Sequence, residues 1–186
     1  DLVGNRTQSI ATGRPDQICT YDWAGRLTSV NGKSCAYDAC GNLSKIELNG
    51  VLRHYSYYSD NRLAKASVGD QTVQYRYDGH GRLVVRKIGK NETRFIPAPL
   101  SSYWQPLIME EHNSARTLII WDGGSPLARV HNDRVEWLLN DHQGSVRMVT
   151  DAKGAKIRRH DYHDFGYSDE PLSVSSFGGF VGLMFN

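Results

Sequence analysis

The sequence predicts an all-β protein, built as one long antiparallel meander of hairpins. Three observations predict it. A seven-residue phrase recurs five times at spacings of about 16 to 21 residues, and turn-forming dipeptides fall between the copies. No stretch of the 186 residues combines a 3.6-residue apolar period with helix caps. Composition agrees: 18 glycines and ten tyrosines, against five phenylalanines, suit strands and tight turns.

The phrase is "YDWAGRL" at Tyr21, "YDACGNL" at Tyr37, "YYSDNRL" at Tyr57 and "YDGHGRL" at Tyr77, with "DLVGNRT" opening one residue late at Asp1. Its middle three residues, Trp23, Ala24 and Gly25 in the first complete copy, predict a three-residue hairpin loop. Such a loop is a type I turn closed by a left-handed residue, where glycine is favoured. Gly4, Gly25, Gly41 and Gly81 occupy that slot, and Asn61 fills it in the deviant copy, as the residue next best suited to a left-handed backbone. Asp22 then faces Arg26, as Asp78 faces Arg82, in oppositely charged pairs. One rung further out, Tyr21 faces Leu27, Tyr37 Leu43, Tyr57 Leu63 and Tyr77 Leu83. Each such aromatic–aliphatic pair contributes roughly 0.2–1 kcal/mol to a sheet.

Between the copies, Asn31-Gly32, Asn49-Gly50 and Gly69-Asp70 are further hairpin signals. Either two-residue turns or three-residue bulged loops fit there. Side chains alternate with period two, so a two-residue turn is expected to throw successive tyrosines onto opposite faces. The bulged form keeps them together and is the expectation. Cys19 and Cys35 each precede a repeat tyrosine by two residues, which places them two strands apart, roughly 9–10 Å at ordinary strand spacing. A disulfide needs Cα atoms within roughly 7 Å, so these two and Cys40 are expected as thiols. The odd, sparse set fits neither a disulfide scaffold nor a zinc site.

Beyond Ile88 the pattern loosens. "FIPAPLSSYWQP" holds three of the six prolines and predicts an irregular excursion or an edge segment rather than a central strand. Strands resume at "LIME" and at "RTLIIWDGGSPLARV", a degenerate copy with Trp121 in the tyrosine place. Then follow a strand, a turn at Asn140–Gly144, a strand, a turn at Asp151–Gly154 and a strand.

The tempting clusters have plainer explanations. "HDYHD" gathers His160, Asp161, His163 and Asp164, with Asp141 and His142 elsewhere, and could serve acid–base or metal chemistry. In a regular strand, however, His160 and His163 point to opposite faces, so turn-bracing aspartates and exposed histidines at a strand end are expected. The basic stretch Arg82, Arg86, Lys87, Lys90 and Arg94 near Tyr75 and Tyr77 could line a single-strand nucleic-acid groove. A formal net charge of +2, with Asp78 already opposite Arg82, argues for an ordinary charged surface instead. No apolar run reaches the roughly 18 residues that span a bilayer. The expectation is no catalytic, metal or cofactor site, no nucleic-acid partner and no membrane-spanning segment.

The tyrosine–aspartate units followed by "NDHQGSVRMVTDAKG" and "DYHDFG" resemble the Rhs (YD-repeat) family and the start of its associated core segment. The Asp141-His142-x-Gly144-Ser145 turn and Thr150-Asp151-x-x-Gly154 carry the resemblance most specifically. It departs where Asp164 replaces a common proline and Tyr58 replaces the repeat aspartate. The resemblance divides the chain into YD-repeat hairpins over 1–90, a proline-containing excursion and degenerate repeat over 91–133, and a truncated core-like segment over 134–186. It implies part of a curved, spiral β-sheet shell that encapsulates a C-terminal toxin, as in Rhs proteins and toxin-complex subunits; teneurins carry a related shell in animal cell adhesion. Its implied partners are the remainder of the shell and the enclosed toxin domain, and its implied location is secreted or at the cell surface of a bacterium. Self-cleaving members use aspartates of an Asp-Pro-x-Gly motif; no Asp-Pro occurs here, so no catalytic aspartate carries over. The alternative is cell-surface adhesion, with exposed aromatics such as Trp23 stacking on glycans. Unpaired outer strands invite aggregation unless further repeats cover them, so a piece of a larger protein is expected.

Overall fold

A computed structural model describes residues 1–10, 16–99 and 104–162. Among them there is no helix, and they form seventeen strands. In order they are β1 (Gln8–Ser9), β2 (Gln17–Tyr21), β3 (Leu27–Val30), β4 (Lys33–Ser34), β5 (Ala36–Tyr37), β6 (Leu43–Leu48), β7 (Val51–Tyr57), β8 (Leu63–Val68) and β9 (Gln71–Tyr77). Then come β10 (Leu83–Ile88), β11 (Asn91–Pro97), β12 (Pro106–Glu111), β13 (Arg116–Asp122), β14 (Ser125–His131), β15 (Arg134–Asn140), β16 (Val146–Asp151) and β17 (Lys156–Arg159). The ladders follow chain order, β1 to β4 in one sheet and β5 to β17 in a second, and every resolved register is antiparallel. This is the meander that the repeats predict.

The chain groups into two units, Asp1–Arg76 with Val85–Asn91, and Tyr77–Val84 with Glu92–Asn186. In the first, one extended stretch serves both sheets: Lys33 and Ser34 pair with β3, and Ala36 and Tyr37 pair with β6. Its core is Cys19, Val30 and Ile46, overlaid by Tyr21, Leu27, Cys35, Leu43, Leu48 and Tyr55. Cys19, Cys35 and Cys40 are thiols; Cys35 donates its backbone N–H to Thr28 on β3, with Cys19 across that strand on β2. In the second unit the buried side chains include Phe95, Met109, Ile119, Leu138, Val146 and Val149, with Ile119 only 1% exposed.

Two expectations need correction. The turns between copies are two-residue turns, not bulged loops: Val30 pairs with Lys33, Leu48 with Val51 and Val68 with Gln71. Asn31 and Gly32 (φ 50° and 75°), like Asn49 and Gly50 (53° and 74°), both take the left-handed backbone of a type I′ turn, whose twist matches that of the strands. The tyrosines nevertheless share a face, because the parity is restored elsewhere. Tyr37 pairs with Leu43 but Ala36 with Lys45, leaving Ser44 as an extra residue. Thr28 and Ala64 are the same extra residue in neighbouring copies. Each bulge shifts the alternation by one, so Leu43, Ile46, Leu48, Val51, Arg53, Tyr55 and Tyr57 lie on one side.

The second correction concerns the prolines. Phe95, Ile96 and Pro97 belong to β11, an interior strand flanked by β10 and β12. Pro97 pairs with Pro106 at the terminal rung, beside the extra residue Leu107, where a missing N–H costs the ladder least.

Candidate functional site

The chemistry of this chain is concentrated in its repeated turn. In the copy at Tyr21, Gly25 N–H donates to the Asp22 carbonyl at 3.0 Å, and Asp22 N–H donates to the Arg26 carbonyl at 2.9 Å. The Asp22 carboxylate folds back over the loop: Oδ1 accepts from the backbone N–H of Ala24 (3.0 Å) and of Arg26 (2.9 Å), and Oδ2 from Arg26 Nε at 3.0 Å. Gly25, at φ 77°, takes the left-handed position that this closure demands. The same bracing recurs at Asp1, Asp38, Asp78, Asp141 and Asp151. Hydrogen bonds from the Arg26 and Arg82 amides hold the Asp22 and Asp78 carboxyls below the ordinary carboxylate range. For Asp38 the Asn42 side chain is the largest cause. At Asp141 burial opposes the shift, but the Arg147 side chain and the loop amides outweigh it.

The deviant copy shows how the turn survives without its aspartate. Asn61, at φ 64°, closes it, and Asp60 takes over part of the bracing by accepting from the Arg62 N–H at 3.2 Å. Tyr58, in the aspartate place, instead donates its hydroxyl to the Tyr75 carbonyl at 2.9 Å. A further turn absent from the sequence expectations closes at Glu111 and Ser114, the latter at φ 63°.

A second feature joins one copy to the next. Tyr37 donates its hydroxyl to the Leu27 carbonyl at 2.6 Å, Tyr57 to the Leu43 carbonyl at 3.0 Å, and Tyr21 to the Arg6 carbonyl at 2.9 Å. In the second unit Trp121 Nε1 donates to the Pro106 carbonyl at 2.9 Å and Asn140 Nδ2 to the Pro126 carbonyl at 2.8 Å. Each donor sits at the tyrosine rung of its hairpin, and its acceptor follows the turn of the preceding hairpin. Pro97 cannot donate at that rung, and Trp104 replaces it: its Nε1 reaches the Leu83 carbonyl at 2.9 Å while its ring meets Phe95 edge-on at 5.5 Å. Sequence reasoning assigned the tyrosines to packing and missed this role. The available signal was that the rungs at 21, 37, 57, 77, 121 and 140 carry Tyr, Trp or Asn, each with a polar tip, where packing alone would accept phenylalanine.

Asp141 braces a turn, with His142 at its exposed tip, and Asp161 pairs with Arg159 at 3.1 Å. His160 is 4% exposed and stacks on Tyr162, which corrects its expected place as an exposed strand-end residue. His163 and Asp164 lie outside the described residues. Of the basic stretch, Arg82 is bound to Asp78 and Arg94 to Glu92, Arg86 is buried, and Lys87 and Lys90 are exposed. No group of three or more His, Cys, Asp or Glu fit to hold a metal occurs among the described residues.

Hairpins stacked in chain order, several of them clipped to the one before by a side-chain donor, define a β-hairpin repeat protein. The family model described as Teneurin YD-shell matches residues 1–184, and the chain belongs to that family. This agrees with the resemblance to the YD-repeat family read from the sequence. No curated protein matches the sequence. A structure of the Photorhabdus luminescens Tc holotoxin pore with a TccC3 variant aligns at TM-score 0.50 and 15% identity, over 82% of this chain and 10% of that one. A crystal structure of TcdB2-TccC3-Cdc42 aligns at TM-score 0.47 and 15% identity, over 82% of this chain and 12% of that one. The chain therefore spans about a tenth of the length of the chains it matches. Its role is that of a structural shell segment.

Proposed function

We propose that this chain is a wall segment of a hollow container that encloses a toxin cargo, and that the segment itself performs no catalysis. The observation that carries this reading is the series of clips from the tyrosine rung to the preceding hairpin. A wall must resist splaying between neighbouring hairpins, and a hydroxyl or indole donor to a carbonyl otherwise at the end of a ladder ties each hairpin to its predecessor. The turn carboxylates are consumed by loop amides and arginines, which suits bracing better than proton transfer. The partners in this reading are further repeats of the same shell and the enclosed domain, and the location is secreted or at the cell surface.

Protease protection of the cargo tests it. In the full-length polypeptide that contains this chain, a C-terminal cargo domain is expected to resist protease until the shell is unfolded. Digestion at equal rates with and without the shell would sink the proposal. Adhesion through glycans is the second reading, favoured by Trp137, which is 41% exposed on the face opposite Leu138 and paired there with Ala128 and Thr150. Glycan-array binding by the chain, lost in Trp137→Ala, would support it.

A further inference from the structure

Two interior turns of the first unit are chemical twins that differ in one respect. Asn31-Gly32 and Asn49-Gly50 each close a hairpin with two residues, between Val30 and Lys33 and between Leu48 and Val51. Their backbones match: φ is 50° and 75° in the first turn, 53° and 74° in the second. All four residues are exposed, and no atom stands within 4 Å of where a Cβ would lie on either glycine. The carboxamides do not match. Asn31 Oδ1 accepts from the Ile18 N–H at 2.7 Å, and Asn31 Nδ2 donates to the Asp16 carbonyl at 3.0 Å. The Asn49 side chain makes no hydrogen bond among the described residues.

An asparagine followed by glycine can react with its own backbone. The glycine nitrogen attacks Cγ of the asparagine: the N–Cγ bond forms, the Cγ–Nδ2 bond breaks, and Nδ2 leaves as ammonia with the amide proton. Water then opens the five-membered imide at one of its two carbonyls, giving its hydroxyl to that carbon and its hydrogen to the nitrogen. Opening at Cγ leaves aspartate; opening at the main-chain carbonyl leaves isoaspartate, whose main chain runs through Cβ and Cγ. Nothing is oxidised or reduced, and water is the only co-reactant. Glycine favours the attack because no Cβ covers its nitrogen. The attack also requires Cγ to swing towards that nitrogen, so a carboxamide held by two hydrogen bonds must first give them up.

We propose that Asn49 is a site of spontaneous modification, converting to aspartate and isoaspartate in the folded chain, and that the bonds from Asn31 to Ile18 and Asp16 shield its twin. Either product carries a carboxylate in place of an amide and lowers the formal net charge of +2 by one. Isoaspartate also lengthens the main chain of a two-residue turn, which loosens the Leu48–Val51 rung that the turn closes. No enzyme is needed, so the extent of conversion records the age of the folded chain whatever the wall encloses. The test is to incubate the folded 186-residue chain at mildly alkaline pH and follow the tryptic peptides 46–53 and 27–33 by mass. Labelling by an isoaspartyl methyltransferase is the second readout. Asn49 is expected to convert roughly tenfold or more faster than Asn31, the scale of two ordinary hydrogen bonds. In guanidinium the two rates should converge, and Asn49→Gln should abolish labelling of the folded chain. Three results would each overturn the proposal. One is equal rates in the folded chain; another is an Asn49 that stays intact while the unfolded chain converts. The third is a rate ratio unchanged by guanidinium, because the difference would then lie in the flanking residues and not in the bonds to Asn31.

Discussion

Gly41 and Asn61 occupy the same position in adjacent copies, at φ 85° and 64°, and show what a single residue contributes to this architecture. A side chain on a left-handed backbone costs roughly 1–2 kcal/mol, and no atom stands within 4 Å of where a Cβ on Gly41 would lie. Gly41→Ala is therefore expected to destabilise by about that strain alone, and Asn61→Gly to be neutral or stabilising, both read as shifts in urea midpoint. The carboxylates add a pH dependence. Amide and arginine hydrogen bonds lower the folded pKa of Asp22, Asp38 and Asp78. Their contribution is thus complete above the unfolded value of about 3.9 and is lost as pH falls through the lowered folded values. The urea midpoint should hold steady down to about pH 4 and then decline, less steeply in Asp78→Ala, which lacks one of the three. The glycine slot and the Asp22–Arg26 and Asp78–Arg82 pairs were legible in the sequence because both are local; that the carboxylates also accept from loop amides came from the structure.

At the scale of the element, the unit of stability is the hairpin with its clip. Tyr57→Phe keeps the ring and the rung with Leu63 but leaves the Leu43 carbonyl without the donor, an expected loss of about 1 kcal/mol. Trp104→Phe should cost a similar amount by exposing the substitution made for Pro97. Burial raises the pKa of Tyr21, Tyr37 and Tyr57. A raised folded pKa contributes stability fully present below the unfolded value of about 10 and lost as pH rises through the folded one. Unfolding in mildly alkaline urea should therefore steepen above about pH 10, and less so in Tyr57→Phe. The rungs themselves were legible from the tyrosine–leucine spacing. The clips were not, because donor and acceptor belong to different copies and only the stacking of hairpins brings them together.

For the molecule as a whole, each resolved ladder joins strands adjacent in the chain, so cooperation is expected to spread between neighbours rather than through one central core. Ile119→Ala, at a site 1% exposed, should cost about 2–5 kcal/mol. Hydrogen exchange should then accelerate most in β12, β13 and β14 and least in β2 and β3; uniform acceleration would indicate a single cooperative core.

What the sequence by itself determined is the meander: the recurring turn and the rung beside it. Both are set within about seven contiguous residues, where covalent spacing does the work of tertiary contact. Only the tertiary structure decided how the tyrosines keep one face. Two-residue turns reverse the chain, and an extra residue such as Ser44 restores the parity, a balance that emerges only when register is counted across several strands. It also decided that Trp104, far along the chain from Leu83, does the work a proline cannot, because a hydrogen bond depends on where two atoms meet and not on how many residues separate them.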